Sequence, residues 1–147
     1  MIDLKQEALK EQEYLTALRR EFHQHPELGL HEFRTAGRIE EELDRFGISH
    51  TRIGETGVLG TLKSEKGVGS IVALRADIDA LPIQETHKTE YSSTVPGVMH
   101  ACGHDAHTAC LLAAAKLLEE EMEQVAHLSV PLTAEAHWGR NWLEAKG

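Results

Sequence analysis

The stretch VMHACGHDAHTACLLAAAKLL, residues 98–118, joins a cluster of ionisable side chains to a long apolar run. Its first half holds three histidines, a cysteine and an aspartate: His100, Cys102, His104, Asp105 and His107. Its second half is apolar on nearly every side of a helix, which is typical of a helix buried against a sheet. We therefore predict a buried helix that begins near Thr108 and is preceded by a polar loop.

The spacing of the cluster limits how it can act. Cys102 and His104 are two residues apart, and on a helix such neighbours point to different sides. They can share a ligand only from a loop or turn, so we predict that the cluster lies before the helix. A thiolate and an imidazole suit zinc, manganese, cobalt or nickel, with Asp79 or Asp105 able to orient the imidazole from behind.

Two other interpretations of the cluster stay open at this point. The segment can be a polar loop that caps the following helix, with histidines that are merely solvated. Alternatively, Cys102 can be a nucleophile with His104 as its base, although the spacing implies no third group to orient that base.

Helical periodicity marks two segments nearer the N-terminus. Apolar residues recur at helical spacing from Leu4 to Phe22, and the pattern stops where Pro26 and Gly29 break it. A second amphipathic helix should end at Gly47, and its apolar stripe consists of Ala36, Ile39, Leu43 and Phe46.

Short β-rich runs at 57–62 and 70–76 are separated by a turn-like segment and predict adjacent strands. The segment 127–133 predicts a further strand. This order of elements predicts an α/β layered fold, in which ligands gather beyond the carboxyl ends of the strands. Asp77 and Asp79 follow the second run directly, so we expect them to lie close to the His/Cys cluster.

Length and composition exclude several classes of protein. With 147 residues, of which 41% are hydrophobic, the chain can bury one core. A net charge of −9 argues against nucleic acid as a partner. No apolar run approaches the roughly 20 residues that cross a bilayer, and the N-terminus is too charged for a signal peptide. We therefore predict a soluble, cytoplasmic protein.

Four further side chains have ordinary structural explanations. Cys110 falls within the apolar run and is predicted to pack in the core as a small hydrophobe. His23 and His25 flank a helix end, where imidazoles commonly cap carbonyls or lie in solvent. Arg75, at the end of an apolar run, is predicted to be a buried, paired structural cation.

Three ordered motifs carry a resemblance to a known family. They are LRREFHQHPELGLHEFRTA at 18–36, ALRADIDALPIQE at 73–85 and GVMHACGHDAHTACLLAAAKLL at 97–118. Together they resemble the M20 metallopeptidase superfamily, in the branch of N-acyl amino acid, hippurate and indoleacetyl-amino acid amidohydrolases. The resemblance implies a zinc-exopeptidase-like three-layer α/β sandwich with a mostly parallel sheet. Residues 1–147 would be the N-terminal portion of that catalytic domain, incomplete and without its lid or dimerisation domain.

The resemblance also implies roles for individual residues. Cys102 and His104 match metal ligands of the family, and Asp79 matches the position of an orienting aspartate. Glu135 matches the general base, whereas Ala136 stands where the family carries a metal-binding glutamate. His137 is the neighbouring side chain that could substitute for that ligand.

The function implied by the resemblance is metal-dependent cleavage of the amide bond of N-acyl amino acids, giving a carboxylic acid and an amino acid. The cofactor would be a pair of divalent ions, zinc or manganese, with cobalt or nickel as alternatives. The partner would be this small-molecule substrate, with no nucleic acid and no membrane, and a homo-oligomer is compatible with the sequence. A second interpretation makes the chain a truncated, inactive remnant that keeps part of the metal site, because Ala136 cannot ligate a cation.

Overall fold

The computed structural model describes residues 3–63 and 71–124. Its elements in chain order are α1 (Leu4–Lys10), α2 (Gln12–Gln24), α3 (Phe33–Arg45), β1 (Ser49–Ile53), β2 (Gly57–Thr61) and α4 (His104–Gln124). No helix in these two ranges is long and apolar enough to cross a membrane. The strand predicted at 127–133 lies outside the described residues.

The first predicted helix is divided in two at Glu11. Asp3 caps α1 by accepting hydrogen bonds from two backbone N–H groups of its first turn. Glu11, between α1 and α2, is buried, and its carboxylate accepts a hydrogen bond of 2.7 Å from Lys116 of α4. This bond fixes the break against α4. The predicted stop is confirmed, because α2 ends at Gln24, two residues before Pro26.

The second predicted helix is confirmed as α3. Ala36, Ile39 and Leu43 of its apolar stripe are buried, and Phe46 is its C-terminal capping residue. Gly47 follows with a φ of +70°, a left-handed conformation that glycine adopts without steric strain. Sequence and structure agree here because both the stripe and the stop signal act over a few residues.

In the described part of the chain the regular sheet is a small antiparallel hairpin. β1 pairs with β2 so that Ser49 lies opposite Thr61 and Ile53 opposite Gly57. The prediction of a strand at 57–62 is confirmed as β2, whereas β1 was not predicted. The prediction of an adjacent strand at 70–76 is wrong for residues 71–76, which form no strand.

The segment 71–76 shows why a β-rich sequence is not sufficient for a strand. Ile71, Val72 and Leu74 are exposed, and no described segment forms a regular ladder with their backbone. A strand needs a partner for its N–H and C=O groups as well as a suitable sequence. Arg75 is also exposed and donates to Asp77 at 2.7 Å, so its predicted pairing is confirmed and its predicted burial is wrong.

The core lies between α2, α3, α4 and the hairpin. Its buried members are Leu18, Phe22, Ile39, Leu43, Ile48, Ala109, Leu112 and Ala115. The prediction that Cys110 packs in this core is wrong, because its side chain is exposed. Successive helical residues point in directions about 100° apart, and α4 turns Ala109 towards α2 and leaves Cys110 on another side.

Candidate metal centre

Two short backbone bridges bring the candidate site together. Ala80 N–H donates to the carbonyl of Glu27 at 2.7 Å, in the loop that follows α2. Leu81 and Met99 exchange two hydrogen bonds of 3.0 and 3.1 Å. These bridges hold the two residues that follow Asp79, and the Asp79 carboxylate lies beside the beginning of α4, as the sequence predicts.

His104 is the first residue of α4, and Asp79 fixes its ring. Its Nδ1 lies 2.8 Å from Asp79 Oδ1 and 3.0 Å from the carbonyl oxygen of Asp79. Both oxygens can only accept, so Nδ1 carries the hydrogen. The neutral ring therefore has its lone pair on Nε2, the nitrogen that remains available to a metal ion.

Cys102 lies in the turn before α4, with a free and exposed thiol. Gly103 has a φ of +87° and makes the turn into the helix. The prediction of a loop is thus confirmed for Cys102. It is wrong for His104, Asp105 and His107, which lie in the first turn of α4.

Cys102 and His104 have the chemistry of transition-metal ligands, because a thiolate and an imidazole suit ions such as zinc. Within residues 3–63 and 71–124, no group of three or more His, Cys, Asp or Glu side chains is placed so that it could hold a metal ion. The described residues therefore offer part of a ligand set. Glu135, Ala136 and His137 lie outside the described residues.

His23 is buried among charged groups, so the prediction of a capping or solvated histidine is wrong for it. Its Nδ1 lies 2.8 Å from Asp105 Oδ2, and its Nε2 lies 3.2 Å from Glu85 Oε1. Arg19 Nε also lies 2.8 Å from Asp105 Oδ2. His25 follows the prediction, because its Nδ1 donates to a carbonyl one turn earlier in α2 at 3.0 Å.

Sequence reasoning did not find this network. It joins His23 to Asp105, 82 positions further along the chain. The sequence did hold one signal for it. Arg19 and His23 are four residues apart, and each directly follows an apolar residue of α2. Such neighbours share one helix face at the border of the core, which favours polar side chains that need buried partners.

Two groups near the site have shifted pKa values. Burial lowers the pKa of His100 below its usual value of 6.5, although the nearby Asp105 carboxylate opposes this. In the described part of the chain neither ring nitrogen of His100 has a hydrogen-bond partner. The backbone N–H of Ser93, 2.6 Å from Glu85 Oε2, lowers the pKa of Glu85 below its usual 4.5. Glu85 therefore stays ionised beside His23.

The sequence of the chain is similar to a known peptidase family and to proteins of described function. Residues 73–134 match the sequence model of Peptidase family M20/M25/M40. An IAA-amino acid hydrolase, ILR1-like 5 of Arabidopsis thaliana, is 48% identical over 114 residues, which cover 77% of this chain and 26% of that protein. An N-acyl-L-amino acid amidohydrolase of Geobacillus stearothermophilus is 46% identical over 110 residues, covering 74% of this chain and 30% of that protein.

A solved structure gives the same result for the fold. The YXEP protein of Bacillus subtilis, described as a dinuclear metal binding peptidase from the M20 family, superposes with a TM-score of 0.76 at 37% identity. The superposition covers 88% of this chain and 35% of that chain. Fold and sequence thus agree in their similarity to the M20 peptidase family, and the resemblance seen in the motifs is confirmed. One of the two relatives is described as an amino acid hydrolase and the other as an amidohydrolase, and this chain spans about a quarter to a third of their length.

Proposed function

We propose that residues 1–147 are the N-terminal portion of an M20-type catalytic domain, from a metal-dependent amidohydrolase that cleaves N-acyl amino acids. The observation that carries the proposal is the ring of His104, whose Nδ1 is held by Asp79, two residues after the exposed thiol of Cys102. The names of the two curated relatives support the substrate class, because both describe hydrolysis of amino acid conjugates.

The proposal extends to the fold of the complete domain, a three-layer α/β sandwich with a mostly parallel sheet. A parallel bridge between Leu28 and Ala80 supports this architecture. The extended, apolar segment 71–76 supports it too, because exposed residues such as Ile71 and Leu74 would be covered if the segment paired within a larger sheet.

In the proposed site Cys102 and His104 hold a divalent ion, zinc or manganese, with cobalt or nickel as alternatives. When bound, such an ion polarises an amide carbonyl and acidifies a water. Asp79 holds the His104 ring in one tautomer, so that Nε2 points away from the carboxylate. Glu135 moves the proton from the water to the leaving amine, which is the role of a general base that then acts as an acid.

The proposed partner is the small acyl amino acid, in the cytoplasm, and the proposal is compatible with a homo-oligomer. Free thiols at Cys102 and Cys110 support a reducing compartment. The net charge of −9 disfavours nucleic acid.

Cobalt binding tests the metal site on the chain itself. We expect the protein to take up Co²⁺ with a thiolate-to-cobalt charge-transfer absorption, which Cys102→Ser abolishes and His104→Gln weakens strongly. Cys110→Ser is the matched control, since Cys110 is the other exposed thiol and lies on the outer side of α4. We expect its spectrum to equal that of the wild type, and equal spectra for Cys102→Ser and the wild type would contradict the proposal.

Turnover separates the two functional interpretations. Chelator-sensitive release of the amino acid from hippurate or an N-acetyl amino acid, lost in Glu135→Gln, would support the amidohydrolase. A protein that shows the cobalt band yet hydrolyses both substrates at the background rate would support the inactive remnant, in which Ala136 replaces a ligand.

A further inference from the structure

Asp105, the residue after His104, lies fully buried in the first turn of α4. Its Oδ2 accepts a hydrogen bond of 2.8 Å from His23 Nδ1 and forms an ion pair with Arg19, whose Nε also lies at 2.8 Å. A carboxylate without water keeps its charge only if such partners remain in place. These two bonds therefore join α4 to α2 at the point where the helix presents His104.

Glu85, at the other end of this network, also has hydrogen-bond partners. His23 Nε2 lies 3.2 Å from Glu85 Oε1, and the other oxygen of Glu85 accepts the backbone N–H of Ser93 at 2.6 Å. Both ring nitrogens of His23 thus lie close to carboxylate oxygens, and its Nδ1 also lies 3.3 Å from Arg19 Nη2. Arg19 therefore contacts both His23 and Asp105.

The side of the same helical turn that carries His104 faces the segment that contains Asp79. His104 reaches Asp79, and the hydroxyl of Thr108, one turn later, lies 3.2 Å from the carbonyl oxygen of Asp77. Adjacent helical residues keep a fixed angle of about 100° between them. Any rotation of this turn that released Asp105 from α2 would therefore also swing the ring of His104.

We propose that Asp105 is a positioning residue that, held by Arg19 and His23, fixes the first turn of α4 and so presents His104 to Asp79. The consequence for metal binding rests on the proposed function. The orientation of the His104 ring is a property of the chain without metal, and it can be measured separately.

The test uses the full 147-residue chain and begins with Asp105→Ala. Arg19 can turn to solvent in this variant, because a third of its side chain is already exposed (32%). The matched control is Glu42→Ala, which removes another fully buried carboxylate paired with arginines, on α3. If Asp105→Ala does not fold, His23→Phe keeps a ring of similar size and leaves the bond between Arg19 and Asp105.

The first readout is the tautomer of His104 in metal-free protein. Two-bond ¹H–¹⁵N spectra at pH 8, above the usual histidine pKa of about 6.5, should show a single Nδ1–H form in the wild type. His104→Gln assigns the signal. We expect an averaged mixture of tautomers in Asp105→Ala and the wild-type pattern in Glu42→Ala. Asp105→Asn keeps an oxygen that can accept both bonds and should restore the wild-type pattern.

The second readout is Co²⁺ affinity, which should fall about 10- to 100-fold in Asp105→Ala and stay within about twofold in Glu42→Ala. An unchanged tautomer in folded Asp105→Ala, or mixed tautomers already in the wild type, overturns the positioning role. If the tautomer shifts as expected but the wild type binds no Co²⁺, the positioning role stands and the proposed metal site fails.

Discussion

Three histidines near the site show that the surroundings of a residue, more than its type, assign its role. His104 is partly exposed, with one nitrogen on a carboxylate and the other without a hydrogen bond to residues 3–63 or 71–124. His23 is buried with both nitrogens on carboxylates. His100 is buried with neither nitrogen bonded in the described part of the chain. Of the three, His104 combines a ring fixed by a carboxylate with partial exposure, which suits it to bind a ligand through its other nitrogen.

Glu42 of α3 is a buried carboxylate with a structural role. It accepts hydrogen bonds of 2.8 Å from Tyr14 and Arg45 and forms an ion pair with Arg38. Burial alone would raise its pKa, but the hydrogen bonds from Tyr14 and Arg38 and the two arginine charges outweigh this. The net result is a pKa below the usual 4.5.

This shift makes part of the stability depend on pH. A carboxyl whose folded pKa is lowered contributes its full stability above the unfolded value, near 4.5, and loses that contribution as the pH falls through the folded value. We expect Glu42→Gln to lower the free energy of unfolding at pH 7 by about 1–3 kcal/mol. Between about pH 5 and pH 3, where carboxyl groups take up protons, we expect the free energy of unfolding to fall less in Glu42→Gln than in the wild type.

Urea unfolding at both ends of this range measures the effect. Glu41→Gln is the matched control, since Glu41 is on the same helix with a largely exposed side chain and a distant contact of 3.6 Å to Arg38. Parallel pH dependence in the Glu42 variant and the wild type would argue against the role of this carboxyl.

At the scale of the element, the burial of α4 differs from the burial that its apolar sequence predicts. The run from residue 108 onward predicts burial on nearly all sides. In the described structure Cys110 is exposed and most residues after Ala115 are partly exposed. Ala109 is fully buried, whereas Cys110 is exposed.

Adjacent substitutions on α4 test this difference. We expect Ala109→Leu to destabilise the fold by about 1–3 kcal/mol, because a larger side chain has no space in the packed core. Cys110→Leu should stay within about 0.5 kcal/mol of the wild type. Chemical denaturation at pH 7 compares the two variants, and equal destabilisation by both would mean that the outer face of α4 is packed as well.

At the scale of the whole molecule, the described structure leaves an apolar strip uncovered. Ile71 is 71% exposed, and Val72 and Leu74 nearby are exposed as well. An exposed apolar strip is a surface to which other chains can bind.

We therefore expect the chain to self-associate as its concentration rises and to bind a hydrophobic dye. The double variant Ile71→Lys/Leu74→Lys should reduce both effects. Leu9→Lys is the control, because Leu9 is a large exposed apolar side chain on α1, outside this strip. Sedimentation velocity over a range of concentrations measures the association, and a strictly monomeric wild type that binds no dye would refute the expectation.

What the sequence determined by itself are the features that depend on neighbours in the chain. The apolar stripe and glycine stop of α3, the end of α2 before Pro26, and the thiol of Cys102 in a turn all follow from patterns a few residues long. The approach of Asp79 to His104 also followed, since the end of an extended run and the start of a helix meet at one edge.

Only the tertiary structure decided the features that depend on distant neighbours. The burial of His23 against Asp105, the pairing of β1 with β2, and the exposure of Cys110 beside a buried Ala109 each depend on which elements pack together. Periodicity shows that a face is apolar or a segment is extended. It cannot show which partner will supply the hydrogen bonds and the covering surface, because those groups lie tens of residues away in the chain.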